Sequence, residues 1–238
     1  NLIPSQKIRV GIIGLSADGG WGALAHYPSL SKLPELFEIT GLTASTPAKA
    51  QAAAQKYGVP FSTDNAAELA ARSDVDLLVA VNLPQHQALL EQILPSGKAV
   101  YCEWPLGTDP DQSRHLAALA AQYGCRNFIG LQALHSPYVN KIKQLLDDPA
   151  TGRMLACTIQ GGDPSRARTS LSRYRYAQFQ ENGVNTLTIP FGHLLSALHL
   201  LFGSLNQMHA LTACQYAEIL LQDTGETVHR TATDHAPF

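Results

Sequence analysis

The chain has 238 residues, 45% of them hydrophobic and 15% charged, with a formal net charge of −2. This balance excludes a disordered polyelectrolyte and a surface built to hold nucleic acid, and the length admits one large domain or two modest ones, each able to bury a core. No apolar run reads as approaching the roughly 20 residues of a membrane span, no leader is visible although the chain starts at Asn1, and four scattered cysteines (Cys102, Cys125, Cys157, Cys214) read as buried free thiols of a reducing compartment such as the cytoplasm.

Residues 7–15, KIRVGIIGL, are a compact apolar run ending in glycine, which predicts a buried parallel strand. A helix follows within 22–33, and a second strand covers 37–45. Pro47 opens an alanine-rich helix that Gly58 stops. The next short helix takes Asp64 or Asn65 as its cap, with Glu68 in its first turns. A third strand spans 75–83, and the helix after it ends at Pro95. A fourth strand covers 99–106, an amphipathic helix with an acidic start covers 109–124, and a fifth strand covers 126–132. The alternation predicts an α/β fold: a doubly wound parallel Rossmann sheet forming a dinucleotide-binding domain over 1–132.

The rhythm then changes. A helix is expected over 136–148, a strand over 152–162, a polar irregular stretch over 163–182, a helix over 191–203, and strands within 209–221 and 226–238. These predict a second, α+β domain over 133–238 with an open mixed or antiparallel sheet.

The turn after the first strand, GLSADGGWG, crowds glycines at an unusual spacing. Gly14 suits the tight turn, Ser16 stands where the usual fingerprint has its second glycine, and Gly19 or Gly20 takes the third place in a lengthened loop. Backbone N–H groups at the helix start can hold a pyrophosphate, with Trp21 and His26 bordering it; the alternative is a purely structural loop. The second strand ends in Ala44, Ser45 and Thr46, with no acid to bind ribose hydroxyls. Ser45 and Thr46 can donate to a 2′-phosphate and Lys49 can pair with it, unless Lys49 is only a solvated helix residue. The expected cofactor is therefore NAD or NADP, with NADP tolerated or preferred.

Residues 74–106 resemble the Gfo/Idh/MocA oxidoreductases. Val81, Pro84 and His86 match a Val/Pro/His turn of that family, and Gly97, Lys98, Val100, Glu103, Pro105 and Leu106 match its G-K-x-V-x-x-E-K-P-L, with Trp104 in place of the lysine. Residues 192–203 are similar to its G-x-H-x-x-D-x-x-x-x-L-x-G, so the resemblance covers residues 7 to about 205. The lengthened turn and Trp104 look most like the fungal branch that contains the galactose-pathway transcriptional repressor.

The resemblance implies that Glu103 positions a ribose and that His193 is the catalytic proton acceptor, while His86, with Asn82 and Leu83 beside it, falls in the loop at the carboxyl ends of the strands, where ligands bind, and is expected to border the cofactor. Trp104 carries no titratable group; it can stack near the nicotinamide, wall the pocket, or be a core or lid aromatic. The family acids around His193 are Ile189 and Ser196 here, which leaves a structural reading of His193 open. No metal site is expected. Tyr174, Tyr176 and arginines 166, 168, 173 and 175 form one basic-aromatic cluster, an anion or sugar site, a partner surface or a solvated loop. Two functions stand: an NAD(P)-dependent oxidoreductase acting on a sugar or polyol-like alcohol, and an NAD(P)-sensing regulator that binds a protein partner in the cytoplasm or nucleus. Neither calls for direct nucleic-acid or membrane contact. The family's second domain continues further, so the resemblance implies an incomplete sheet with an exposed edge and apolar surface, a tendency to aggregate alone, and a homo-oligomer when intact.

Overall fold

A computed structural model describes residues 6–81, 85–162 and 167–236. The chain divides into two compact units between Gly130 and Leu131.

The first unit is built on six parallel strands: β1 (Ile8–Ile13), β2 (Phe37–Thr43), β3 (Phe61–Thr63), β4 (Leu77–Ala80), β5 (Ala99–Glu103) and β6 (Asn127–Gly130), in the order β3-β2-β1-β4-β5-β6. The chain works outward from β1 to β3, then returns beside β1 as β4 and works outward the other way. That reversal opens a crevice at the carboxyl ends of β1 and β4, where doubly wound sheets bind ligands. The central strands are apolar on both faces because helices cover both; Val10, Ile12, Leu78 and Val79 are all buried. Gly11 and Gly41 let β1 and β2 lie against Leu69: a Cβ on Gly41 would come within 2.5 Å of its side chain.

The helices start where the sequence supplies caps. Thr46 accepts from the Lys49 N–H at the head of α2 (Pro47–Tyr57), and Gly58 ends that helix in the left-handed conformation. Asn65, rather than Asp64, caps α3 (Ala66–Ala71), accepting from the Ala67 and Glu68 N–H groups. Asp109 caps α5 (Pro110–Gln122). The first helix begins as a π-helical turn, Gly22–His26, and continues as α1 (Tyr27–Ser31); α4 is His86–Ile93. Strand β3 carried no signal in the sequence, being three residues long with Ser62 and Thr63 in it. It forms because β2 offers an unpaired edge and Phe61 packs under the Arg72 guanidinium, 3.9 Å from the ring centre.

The second unit holds α6 (Pro137–Asp147), α7 (Gly192–Phe202) and three short strands, β7 (Thr169–Ser170), β8 (Glu218–Leu221) and β9 (Thr227–His229). β8 pairs parallel with β7 and antiparallel with β9, a mixed sheet. Ile219, Leu221, Val228 and Ala232 are buried in this unit. Beside them lies a buried polar network. The Arg230 guanidinium donates to Gln178 Oε1 (2.9 Å), Asp234 Oδ2 (3.1 Å) and the Ala167 carbonyl (3.1 Å), while Asp234 also accepts from the N–H groups of Gln215 and Tyr216.

Three expectations are corrected here. Residues 152–162 form no strand: a strand exists through its neighbours, and none of the described residues runs beside this exposed segment. Cys102 and Cys125 are buried free thiols, but Cys157 and Cys214 are exposed. Finally, the helical stretch Gln180–Phe202, 23 residues with a mean hydropathy of 1.2, does meet the length and composition of a membrane span. It is broken, however, by Gly183 in the left-handed conformation and by a π turn, Leu187–Phe191, containing Pro190; only α7 is regular α-helix. The second unit also exposes large apolar side chains, among them Tyr138, Leu155 and Leu211.

Candidate functional site

Strand β1 runs directly into the glycine-rich loop. Thr43, at the end of β2, accepts from the N–H groups of both Gly14 and Leu15, which fixes where the loop leaves the sheet. Gly14, Gly19 and Gly20 have φ of 93°, 112° and 89°, a region that side chains oppose. Between them, Ser16 Oγ accepts from the Asp18 N–H (3.1 Å), a local turn that the glycine of the usual fingerprint would lack. The close packing of helix on strand falls to a different glycine from the ones expected. A Cβ on buried Gly22 would lie 3.0 Å from the Gly14 carbonyl and 3.5 Å from Leu15 Cα. Gly19 and Gly20 supply the turn; Gly22 supplies the close approach that the third fingerprint glycine normally gives.

The π turn that follows carries His26. Its Nε2 lies 2.6 Å from Glu103 Oε1, with the two side chains 14% and 9% exposed. An ionised carboxylate only accepts, so Nε2–H donates. Thus the helix after the loop is tied to the end of β5. Glu103 Oε2 lies over β6, where a Cβ on Gly130 would sit 2.8 Å from it and 2.8 Å from Tyr101 Oη. The His26 ring stands edge-on to Tyr101, centroids 5.3 Å apart. Burial, and then the Glu103 charge, push the Tyr101 phenol up to about 12 and the Cys102 thiol up to about 12, so neither ionises near neutrality.

Beyond Glu103, half-buried Trp104 precedes Pro105 through a cis peptide bond. His86 sits beneath this turn. Its Nδ1 lies 3.0 Å from the Pro105 carbonyl and 3.4 Å from Cys102 Sγ. The carbonyl can only accept, so Nδ1 carries the proton. Burial holds the His86 imidazole below its usual pKa, and hence neutral. His86 is 1% exposed and holds the Trp104–Pro105 turn through the Pro105 carbonyl. Asn82 and Leu83, with Pro84, lie outside the described residues.

At the end of β2, Ser45, Thr46 and Lys49 are all exposed. Thr46 Oγ1 accepts from the Lys49 N–H at 3.2 Å, which occupies an oxygen lone pair and leaves its hydroxyl proton able to donate. Trp21, at the helix start, is 50% exposed. The glycine loop after β1, the Ser45–Thr46 turn after β2 with Lys49 in the first turns of α2, and Glu103 at the end of β5 with Trp104 after it all follow the carboxyl ends of strands in one parallel sheet. Sequence reasoning placed His26 at the border of the crevice and did not foresee its bond to Glu103; the cost of burying a carboxylate was the signal that a partner existed.

His193 stands in the second unit, on the first turn of α7. Ser196, where the resembled family has an acid, spends its hydroxyl on the His193 carbonyl (2.7 Å) and so holds backbone rather than imidazole. In the basic-aromatic cluster Arg175 pairs with Glu226 (2.9 Å), and Arg168 and Arg173 lie over the rings of Tyr216 and Tyr174. Arg166 is outside the described residues. Among the described residues no group of three or more His, Cys, Asp or Glu is arranged to hold a metal.

Residues 8–131 match the Gfo/Idh/MocA model, described as an oxidoreductase family with an NAD-binding Rossmann fold, and residues 137–238 match the model of the Gal80p C-terminal domain. The chain is 34% identical to the dehydrogenase aclE of Aspergillus oryzae, over 92% of this chain and 62% of that one. It is 28% identical to the galactose/lactose metabolism regulatory protein GAL80 of Saccharomyces cerevisiae, over 98% of this chain and 58% of that one. The structure of a super-repressor mutant of yeast Gal80p superposes with a TM-score of 0.89 at 25% identity, covering 98% of this chain and 64% of that one. The chain therefore spans about three-fifths of the length of these relatives.

Proposed function

The chain belongs to the Gfo/Idh/MocA oxidoreductase family with its NAD-binding Rossmann fold, and from that premise we propose that it is an NAD(P)-dependent oxidoreductase acting on a sugar or polyol-like alcohol, with an altered catalytic set. The observation that carries the reading is the loop at the β1/β4 crevice: three glycines at positive φ, then a helix start tied through His26 to the carboxylate of Glu103. A dinucleotide fits these residues. The lengthened loop offers backbone N–H groups to a pyrophosphate, and a Cβ on Gly20 would meet nothing within 4 Å, so the loop faces open space. Ser45, Thr46 and Lys49 accommodate a 2′-phosphate, with no carboxylate among them to repel it. Glu103, held by His26, would be the residue that positions a ribose. When bound, the nicotinamide supplies the hydride acceptor or donor. Trp104 has no titratable group to move a proton, and His193 is the residue the family resemblance implies as proton acceptor.

A second reading has its own support. Trp104 stands in the lysine position, and residues 137–238 match the Gal80p C-terminal domain. On that reading the bound dinucleotide stabilises a surface for a protein partner and no turnover follows. A panel of sugars and polyols with NAD and NADP separates the two. Turnover abolished by His193→Ala supports the oxidoreductase; tight dinucleotide binding without turnover across the panel supports the regulator.

A further inference from the structure

The glycine-rich loop is held from an unexpected side. Two side chains at the end of α2 reach back to it: Tyr57 Oη donates to the Ser16 carbonyl at 3.0 Å, and Lys56 Nζ donates to the Ala17 carbonyl at 2.5 Å. Tyr57 is itself packed on Tyr27, ring centroids 4.5 Å apart, and Tyr27 Oη donates to the Tyr57 carbonyl. The Lys56 ammonium also lies 5.4 Å from the Tyr57 ring centre. So the loop rests on a bracket formed by α1 and α2.

The consequence follows from peptide geometry. In a planar trans peptide the C=O and the next N–H point in opposite directions. Drawing the Ser16 carbonyl toward Tyr57 turns the Ala17 N–H the other way. Drawing the Ala17 carbonyl toward Lys56 does the same to the Asp18 N–H, which Ser16 Oγ then accepts. Among the described residues the Ala17 and Gly20 N–H groups have no hydrogen-bond partner. The Asp18 and Gly19 N–H groups are taken within the loop, by Ser16 Oγ and the Ser16 carbonyl, so the Ala17 and Gly20 N–H groups on either side are the ones left for an anion. We propose that Lys56 and Tyr57 are positioning residues for dinucleotide binding: by holding the Ser16 and Ala17 carbonyls, they set the loop's N–H groups toward the pyrophosphate. This assignment rests on the nucleotide reading of the crevice. It places the replacement for the missing fingerprint glycine outside the loop, in the α2 end.

The test is calorimetric titration of wild type, Tyr57→Phe and Lys56→Met with NADPH and ADP, with adenosine measured by competition. Tyr57→Phe keeps the ring on Tyr27 and removes only the hydroxyl. Each variant is expected to weaken NADPH and ADP by about three- to tenfold, the effect of one hydrogen bond, and to leave adenosine unchanged because it carries no phosphate. Hydrogen exchange of the ligand-free protein is the second readout, with faster exchange at Asp18 expected in both variants. Phosphate-bearing ligands bound as tightly by the variants as by wild type, or adenosine weakened equally, would overturn the assignment. A wild type that binds no nucleotide overturns the reading of the crevice itself. Unchanged exchange at Asp18 overturns the bracket.

Discussion

His26 and Glu103, 77 residues apart in the chain, meet through a 2.6 Å hydrogen bond that joins the helix after the glycine loop to the end of β5. His26→Ala removes one hydrogen bond from a buried carboxylate, and is expected to cost about 2 kcal/mol of stability in the first unit. Glu103→Gln keeps an acceptor for Nε2–H and is expected to cost about half as much. Gly130→Ala pushes on the same carboxylate from the other side. Because the sites share one group, the double variant His26→Ala/Gly130→Ala is expected to lose less than the two single losses added together. Urea denaturation of the four proteins checks this; full additivity would separate Gly130 from the pair.

Gly22 and Gly20 are glycines for different reasons, and alanine distinguishes them. At Gly22 the backbone is helical and the obstacle is the Gly14 carbonyl, 3.0 Å from a Cβ. Gly22→Ala should lift the helix from β1, costing about 1–3 kcal/mol and weakening NADPH binding with it. At Gly20 there is room, but φ is +89°, so Gly20→Ala costs about 1–2 kcal/mol through backbone strain alone. Thermal melts with and without NADPH should therefore show a larger loss of ligand-induced stabilisation for Gly22→Ala.

Cofactor choice should be adjustable at the end of β2. Ser45→Asp places a carboxylate where a 2′-phosphate is expected, and should lower NADPH affinity about tenfold while sparing NADH. Lys49→Ala should lower NADPH affinity a few-fold, and the difference from wild type should fade in high salt, since Lys49 is exposed. Equal effects on NADH and NADPH would remove both residues from the 2′ position.

The buried network of the second unit predicts an acid limb of instability. Burial alone would raise the Asp234 carboxyl, but the N–H groups of Gln215 and Tyr216 and the Arg230 guanidinium together hold it below its usual value of 3.8. A carboxylate with a depressed folded-state pKa contributes stability above its unfolded value and loses that contribution as pH falls through the folded one. Asp234→Asn should therefore be less stable than wild type at neutral pH, and the gap should close in acid below about pH 4. Arg230→Ala removes the countercharge of buried Asp234, which keeps only its two N–H donors, and takes the guanidinium from Gln178 Oε1; it should cost about 3–5 kcal/mol. Amide exchange across β8 and β9 as a function of pH measures both.

Much of the first unit was legible because its signals are local. Thr46, Gly58, Asn65 and Asp109 start and stop their helices as residue chemistry dictates, and the apolar runs of β1, β4 and β5 have only one stable place in a covered sheet. Strand β3 escaped notice because an edge strand of three residues needs a neighbour more than it needs apolar side chains. Residues 152–162 show the converse: strand-like residues without a paired neighbour stay outside any sheet and exposed. At the site, the cost of a carboxylate at the end of β5 signalled a partner for Glu103. The identity of that partner depends on a π turn that periodicity does not reveal.

The placement of the four thiols also gives the protein a chemical handle. Cys102 and Cys125 lie buried in the first unit, and burial raises both above the usual thiol range, Cys102 to about 12. Cys157 and Cys214 are exposed in the second unit, and Cys214 is itself made less acidic by partial burial and by the Asp234 charge. A maleimide dye at neutral pH should therefore mark the second unit alone, Cys157 before Cys214. An emission change on adding NADPH or a candidate partner would then report events in one unit without any engineered cysteine.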